Sequence, residues 1–511
     1  MEKRKSIPLY IKIFLTLKMN IILINPPQVF SDMQVAAGVT PPLGLGYLGA
    51  VAKQAGHKVK IIDALAEGYK TITPTDFGFS LRGLTYQEIL NQIPQKTDLI
   101  GISNHFSFAF PIVKKLAKQI KIKTGSSIVL GGAHPSATVT ETLKFDFIDY
   151  VVISEGEESL LEICKKVAGR INLKGVDGVG YKENGKIKIN PKTKFIKDID
   201  SIPFPARELL PMEKYFEAHE AHGPSSERWT SIISSRGCPF KCSFCTPSLW
   251  NYYWRGRSAK NIVDEMEFCI NKYKIYEFLF EDENMTLHKK RTIEICNEII
   301  SRGLDIKWQA ANGIRASTTD YEMLKKMKES GCEHIAVAPE SGSIQVLNEI
   351  IHKQQSLEEV KTAVKNAHKL KIKTAAYFMF GLPSEKKEDV KKSIAFAREL
   401  AKIGLDEVCI GLFIPLPGAE LYDKLRENGK ITQDYSNLLS IGDHSKSVSW
   451  SEYISDKEIG KFRRNGYIQF YATKFIYNPK NFIHMISNIL SGKEETKTER
   501  TIRVLFHRLL K

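Results

Sequence analysis

Three cysteines, Cys238, Cys242 and Cys245, lie in the stretch Ser234-Ser-Arg-Gly-Cys-Pro-Phe-Lys-Cys-Ser-Phe-Cys-Thr-Pro247, separated by three residues and then by two. The apolar run Trp229 to Ile233 before them reads as a buried strand, and Arg236-Gly237 with Pro239 break regular structure directly after it. The three thiols therefore converge on one loop. A cubane 4Fe–4S cluster has four irons, each needing one external ligand, and cysteine thiolate is the usual one. Three cysteines leave one iron open to chelate a small molecule, which is a catalytic arrangement. A structural zinc site wants four ligands, usually as two close pairs. The next cysteine, Cys269, falls in an expected helix, and no His lies between. Three clustered cysteines cannot all pair as disulfides.

This spacing, with the aromatic Phe244 before the last cysteine, resembles the signature of the radical S-adenosylmethionine superfamily. The chain beyond the loop has the matching rhythm. Strands are expected at Tyr276–Phe280, Lys307–Ala311, His334–Ala338, Thr374–Phe380 and Glu407–Ile414. Helices are expected between them at Lys260–Tyr273, Lys289–Ser301, Tyr321–Glu329, Leu357–Leu370 and Lys386–Ile403. Counting the cluster strand, six strands with crossover helices imply a partial barrel, whose chemistry belongs at the strands' carboxyl ends.

The loops there read Glu281-Asp-Glu283, Asn312-Gly-Ile-Arg315, Pro339-Glu-Ser-Gly-Ser343, Gly381-Leu-Pro-Ser-Glu385 and Pro415-Leu-Pro-Gly418. S-adenosylmethionine presents an ammonium, a carboxylate, a ribose diol and an adenine. Glu281 or Asp282 can face the ammonium; Asn312, Glu340 and Ser341 can meet the ribose. Arg315 can fork onto the carboxylate, and Gly342 and Gly381 admit the adenosyl group. The resemblance places S-adenosylmethionine contacts at these positions and at Phe244, although the acidic loop departs from the superfamily's more usual Gly-Gly-Glu.

The first half alternates differently. Strands are expected at Asn20–Asn25, Lys58–Asp63, Asp98–Ser103, Ser126–Leu130 and Tyr150–Ser154. Helices are expected at Leu43–Ala55, Thr85–Ile93, Phe110–Lys123 and Val139–Leu143. Such alternation implies a mostly parallel, doubly wound sheet that binds ligands beyond its carboxyl ends. Gly178–Ile189 reads as a hairpin turning at Asn184-Gly185. Gly44-Leu-Gly46-Tyr-Leu-Gly49 fits G-x-G-x-x-G, but a long Pro-containing loop separates it from its strand, so the glycines are read as helix-packing residues.

The stretch Thr40 to Ala50, the Gly131-Gly-Ala-His-Pro-Ser136 loop and the Glu155-Gly-Glu157 turn resemble the cobalamin-binding domain fused ahead of many radical S-adenosylmethionine proteins. That resemblance implies cobalamin contacts at Pro26, Pro42, Leu43, Ser103, Gly131, Gly132, His134, Pro135, Glu155, Gly156 and Glu157. The D-x-H-x-x-G motif that supplies a lower histidine ligand elsewhere is absent after the first strand. The corrinoid is therefore expected to be held without a protein imidazole, with His134 lining the pocket.

At 511 residues, with 42% hydrophobic and 26% charged, the chain has material for two or three domains. Its formal net charge of +16 is spread as lysines over helix faces, so a solvated surface accounts for it better than a nucleic-acid partner. Eight cysteines, mostly isolated, fit a reducing cytoplasm. No apolar run is long enough to span a bilayer. The start, Met1-Glu-Lys-Arg-Lys with Ile7 to Leu17, mimics a signal peptide, but Lys12 interrupts it and no cleavage site comes after it.

The expected architecture is α/β: a leader or disordered arm at 1–18, a doubly wound, Rossmann-like cobalamin domain at 19–190 and a stiff linker at 191–225. A partial (β/α)6 TIM-type barrel comes next at 226–419, and a helical, basic extension at 420–511 caps it or lies on a membrane surface. The resemblance implies a 4Fe–4S cluster, S-adenosylmethionine and cobalamin as cofactors, and an electron donor such as flavodoxin or ferredoxin. It further implies hydrogen abstraction by a 5′-deoxyadenosyl radical, methyl delivery from methylcobalamin and remethylation by a second S-adenosylmethionine. C-methylation of an unactivated carbon of a small-molecule or lipid-like metabolite is the expected reaction. Radical cyclisation or rearrangement, and a non-catalytic corrinoid-dependent sensor, are the alternatives. A methylthiotransferase would need cluster cysteines in the first domain, whose first cysteine is Cys164.

Overall fold

The computed structural model describes residues 18–30, 38–75, 79–225, 228–247, 249–432, 447–491, 494–496, 498–499 and 502. The expected leader or arm at 1–18 lies outside these residues except for Lys18. The chain divides into two compact units, one running to Val29 and from Pro41 to Lys214, the other taking Phe30–Thr40 and Tyr215 onward.

Seven strands build the first unit's sheet: β1 (Asn20–Asn25), β2 (Lys58–Asp63), β3 (Leu99–Ser103), β4 (Ser127–Gly131), β5 (Tyr150–Val152), β6 (Val179–Glu183) and β7 (Lys186–Asn190). Their spatial order is β7-β6-β5-β4-β3-β1-β2. The pairs from β2 through β5 are parallel, and β6 and β7 add an antiparallel hairpin. The run Ile21-Ile-Leu-Ile24 is buried throughout, as a central strand covered on both faces requires. The hairpin turns through Asn184 and Gly185, both with positive φ (52° and 73°), the geometry for which an Asn-Gly pair is suited. The strand order reverses between β1 and β3, so a ligand crevice belongs beyond their carboxyl ends.

The helix Leu43–Gln54 carries the G-x-G-x-x-G pattern, and the glycines are packing positions. A Cβ on Gly46 would stand 3.0 Å from Pro205 Cβ, and one on Gly49 3.1 Å from Leu209 Cδ1. The amide of Ala206 also donates to Gly46 O at 3.0 Å. The part of the expected linker up to Lys214 thus belongs to the first unit, strapped onto its first helix. It contains 3-10 turns at Ile199–Ser201 and Arg207–Leu209 where an extended chain was expected. Helix Glu157–Val167, short helices Ala64–Glu67 and Ala133–Ala137, and the antiparallel pair Ile72–Pro74 with Ser80–Arg82 are further elements without a clear sequence signal.

The second unit's sheet holds β8 (Trp229–Ile232), β9 (Glu277–Phe280), β10 (Lys307–Ile314), β11 (Cys332–Glu340), β12 (Lys373–Phe380) and β13 (Glu407–Leu412) in simple sequential order. Every neighbouring pair is parallel, so all carboxyl ends share one rim. Strand β10 outruns its expected end at Ala311 because the ladder shifts register between Ala310 and Ile314. That bulge leaves Asn312 exposed, and Gly313 takes φ 104°.

Helix Asp456–Tyr477 packs along β13 and the helix Lys387–Ile403. The Ile410 amide donates to Tyr467 Oη at 3.0 Å, and the Thr498 amide donates to Glu407 Oε1 at 2.8 Å. This helix therefore lies along the sheet's last strand. Among the described residues no helix is long and apolar enough to cross a membrane.

Candidate active site

The cysteine loop succeeds β8 and is clamped at both ends. Gly237 holds φ 88°, and a Cβ there would lie 2.2 Å from Tyr253 O, so only glycine fits. Its amide donates to Glu283 Oε2 at 3.2 Å, and the Trp250 indole donates to Glu283 Oε1. Ser243 donates through its amide to Ile351 O at 3.0 Å and through its hydroxyl to Ile350 O at 2.6 Å. Phe240 lies under the Arg315 guanidinium, 3.9 Å from ring centroid to Cζ. Phe244 is half-buried on the same loop.

All three cysteines are free thiols. Burial pushes the thiols of Cys238 and Cys242 up, while Arg315 and Lys353 pull them the other way; Cys245 is exposed. Among the described residues no three His, Cys, Asp or Glu side chains converge on a single-ion position. A cubane does not ask for that, since each of its cysteines takes a different iron. Three unpaired thiols on one fixed loop, flanked by two cations, fit an anionic cluster.

The remaining rim residues fall into two groups. Glu281, Asn312, Glu340 and Arg315 stand at the carboxyl ends of β9, β10 and β11 or in the loop just beyond. Glu281 Oε2 lies 2.9 Å from His222 Nδ1, its Oε1 accepts from Ser231 Oγ at 3.2 Å, and its carbonyl accepts from Asn312 Nδ2 at 3.0 Å. The His222 and Glu281 side chains keep 37% and 21% of their surface exposed, so a ligand can reach them. Glu340 adopts a left-handed φ of 63° and pairs with Lys353 Nζ at 2.8 Å. Arg315 donates to the carbonyls of Lys353 and Gln354, which fixes it beside the cysteine loop.

The second group is engaged with the scaffold. Asp282 is 2% exposed and accepts from the Ser234 amide (3.0 Å), the Ser234 hydroxyl (2.6 Å) and the Ser235 hydroxyl, so its carboxylate anchors the entry to the cysteine loop. Ser341 is fully buried with its hydroxyl 3.0 Å from Ser393 Oγ. At Gly342 a Cβ would meet Lys392 O at 2.6 Å, so the glycine lets helix Lys387–Ile403 pack closely. Gly381 keeps φ 82° beneath Val448 and Ser449 and accepts from the Trp450 amide at 3.0 Å. His222 and Lys353 escaped sequence reasoning because neither belongs to a motif.

In the first unit the expected cobalamin contacts share the carboxyl edge of the sheet. Pro26 comes after β1, Pro42 and Leu43 open the first helix, and Ser103 ends β3 opposite Gly131 at the end of β4. Gly132, His134 and Pro135 continue that loop, and Glu155, Gly156 and Glu157 come after β5. His134 is 1% exposed, 2.9 Å from Ser107 Oγ and 4.4 Å from the Phe110 ring; burial pushes its pKa down to about 3. It is a neutral, enclosed imidazole. Glu155 accepts from the Ile196 amide at 2.9 Å, which ties down the strap. Asn104, one residue past Ser103, is 1% exposed, and its amide nitrogen and oxygen find no hydrogen-bond partner among the described residues. A Cβ on Gly131 would meet only Val152 Cβ, at 3.9 Å. An orphaned amide next to an open glycine edge fits a polar-rimmed ligand.

Comparison with known proteins agrees with both halves. Residues 232–397 match the radical SAM superfamily, and residues 32–164 match the B12 binding domain. An uncharacterized methyltransferase from Pyrococcus horikoshii is 34% identical over 462 residues, covering 89% of this chain and 92% of that protein. The cytidylyl-2-hydroxyethylphosphonate methyltransferase of Streptomyces wedmorensis is 30% identical, covering 81% and 83%. The radical S-adenosylmethionine methyltransferase TsrM from Kitasatospora setae, solved with cobalamin and a 4Fe–4S cluster, shares the fold at 17% identity, with a TM-score of 0.62 over 81% of this chain and 75% of that one. The chain belongs to the cobalamin-dependent radical S-adenosylmethionine enzymes. Its cofactors are accordingly a 4Fe–4S cluster, S-adenosylmethionine and cobalamin.

Proposed function

We propose that this enzyme transfers a methyl group to an unactivated carbon of a small-molecule or lipid-like metabolite. The observation that carries the reading is the pairing of both cofactor domains in a chain that aligns almost end to end with a relative named as a methyltransferase. In this reading Cys238, Cys242 and Cys245 hold the cluster. When bound, the cluster supplies the electron that cleaves S-adenosylmethionine, and the corrinoid supplies the methyl group.

The chain's own residues then have distinct tasks. Glu281 receives the ammonium of S-adenosylmethionine, with His222 and Ser231 fixing its carboxylate. Asn312 and Glu340 line the ribose side, and Lys353 keeps Glu340 in place. Arg315 and Lys353 offset the negative charge of the thiolates. Buried Asp282, Ser341 and Gly342 hold the rim on which these groups stand. An external electron donor such as flavodoxin or ferredoxin completes the system. The helix Pro479–Ser491, with Ile483 and Leu490 largely exposed, offers a peripheral membrane contact.

Cyclisation is the second reading, favoured by the anaerobic magnesium-protoporphyrin IX monomethyl ester cyclase of Cereibacter sphaeroides, 25% identical over 90% of this chain. Anaerobic turnover with S-adenosylmethionine and a low-potential reductant separates the two. Methyl transfer releases S-adenosylhomocysteine together with 5′-deoxyadenosine; 5′-deoxyadenosine alone, across a panel of metabolites, would remove methyl transfer and leave cyclisation. Replacing Glu281 with Gln should weaken S-adenosylmethionine binding about tenfold while the cluster absorbance stays. Unchanged affinity would take Glu281 out of the site.

A further inference from the structure

We propose that Asn104 recognises a primary carboxamide on the rim of the bound corrinoid, through paired N–H···O contacts in both directions. The inference rests on the reading of this domain as the holder of cobalamin.

Asn104 comes directly after β3, at the crevice where the strand order reverses between β1 and β3. Its backbone is fixed from both sides. The amide donates to Gly131 O at 2.8 Å, and the carbonyl accepts from the His134 amide at 3.3 Å. Gly132, at φ 115°, lets this happen, since a Cβ there would stand 2.6 Å from Asn104 O. The backbone at the root of the side chain is therefore held in place.

Yet the amide nitrogen and oxygen both lack a partner, in a residue 1% exposed. Buried polar groups are nearly always paired, so an amide orphaned at both ends in a rigid setting calls for a missing partner. Two hydroxyls of the adjoining segments are engaged with His134: Ser107 Oγ lies 2.9 Å from its Nδ1, and Thr138 Oγ1 donates to its carbonyl at 2.7 Å. The complement must offer one acceptor and one donor side by side. A carboxylate offers only acceptors and an ammonium only donors, whereas a primary carboxamide offers both. Corrinoids carry acetamide and propionamide arms around their ring.

The test uses the full-length apo-protein, Asn104→Leu as the near-isosteric apolar variant and Asn104→Ala as the second. Binding is read from the visible absorbance of cobalamin and of cobinamide, which keeps the ring amides but lacks the nucleotide tail. Apo melting is recorded alongside. The expected result is an apo-protein at least as stable as wild type, with affinity for both corrinoids weakened by about tenfold. Unchanged affinity in a stabilised variant would make the orphan a strain reservoir and overturn the proposal. Loss for cobalamin alone would move the contact to the tail and overturn it too. If Leu prevents folding, Ala must give the same paired weakening. A wild-type protein that binds neither corrinoid removes the cobalamin reading itself, whereas wild-type binding with unmoved variants removes Asn104 alone.

Discussion

The carboxyl edge of the first unit's sheet carries glycine, proline, a neutral amide and a Glu155 tied to backbone, while the rim of the second carries charges already partnered by other side chains. Glu281 stands with His222, Glu340 with Lys353, and Arg315 over Phe240. At the carboxyl edge of the first sheet, by contrast, His134 is neutral and enclosed and Asn104 is unsatisfied. The contrast suits the ligands. A large uncharged corrinoid needs shape and a few amide contacts, whereas an anionic cluster and a zwitterionic sulfonium need fixed charges in a low-dielectric rim.

The strongest way to break this division of labour is at the cysteines. Replacing Cys238, Cys242 or Cys245 with Ala should remove the cluster absorbance and bring 5′-deoxyadenosine formation to background, while corrinoid binding stays at wild-type level. Loss of the corrinoid in the same variants would show that the two units do not bind their cofactors independently.

Acid and alkali should sharpen the contrast, because His134 in the first unit and Glu385 in the second are buried groups whose pKa values are pushed in opposite directions. His134, at about 3, lies below its ordinary 6.5, since burial disfavours the imidazolium. Between these values the unfolded chain binds the extra proton, so stability present above pH 6.5 drains as the pH falls, at about 1.4 kcal/mol per pH unit. Glu385 behaves oppositely: burial raises it from 4.5 to about 8, against the pull of the Gly381 and Leu382 amides it accepts. Its stability is full below pH 4.5 and drains as the pH rises through about 8. Melting temperatures should show the wild type losing ground to His134→Gln on acidification and to Glu385→Gln on alkalinisation. A pH-independent gap for either variant would remove that residue as the cause.

The smallest effects come from a pair of glycines. Gly342→Ala should cost about 1–3 kcal/mol, because the new methyl would press on Lys392 O and Ser393 Cα. Gly44→Ala should stabilise by about 0.5 kcal/mol, since a helical Cβ there meets nothing within 4 Å. Denaturant midpoints check both; equal signs would deny that glycine spacing distinguishes the two sites.

Much of this organisation was legible in the residues. Strands β1 and β2 and helices Lys289–Ser301 and Tyr321–Glu329 match their apolar periodicity to the residue, and the Asn184-Gly185 turn matches its left-handed φ requirement. The site was legible only where chemistry and motif coincide, as at the cysteines. Asp282 and Ser341 have the right polarity for a ligand, yet burial against Ser234 and Ser393 decides their role, and no local pattern encodes that contact. His222 reaches the rim from a segment 59 residues before Glu281, and Lys353 comes from a segment 13 residues after Glu340; tertiary packing, not a motif, brings both there. The end of β10 was missed because a bulge carries pairing past the point where apolar alternation stops.

The hydroxyl of Tyr467 has a practical bearing on how this enzyme can be dissected. By occupying the Ile410 amide it blunts a border that would otherwise recruit a foreign strand. A shortened version stopping at the end of the six-stranded core would be sticky and prone to self-association, so a workable minimal fragment must run at least to Tyr477.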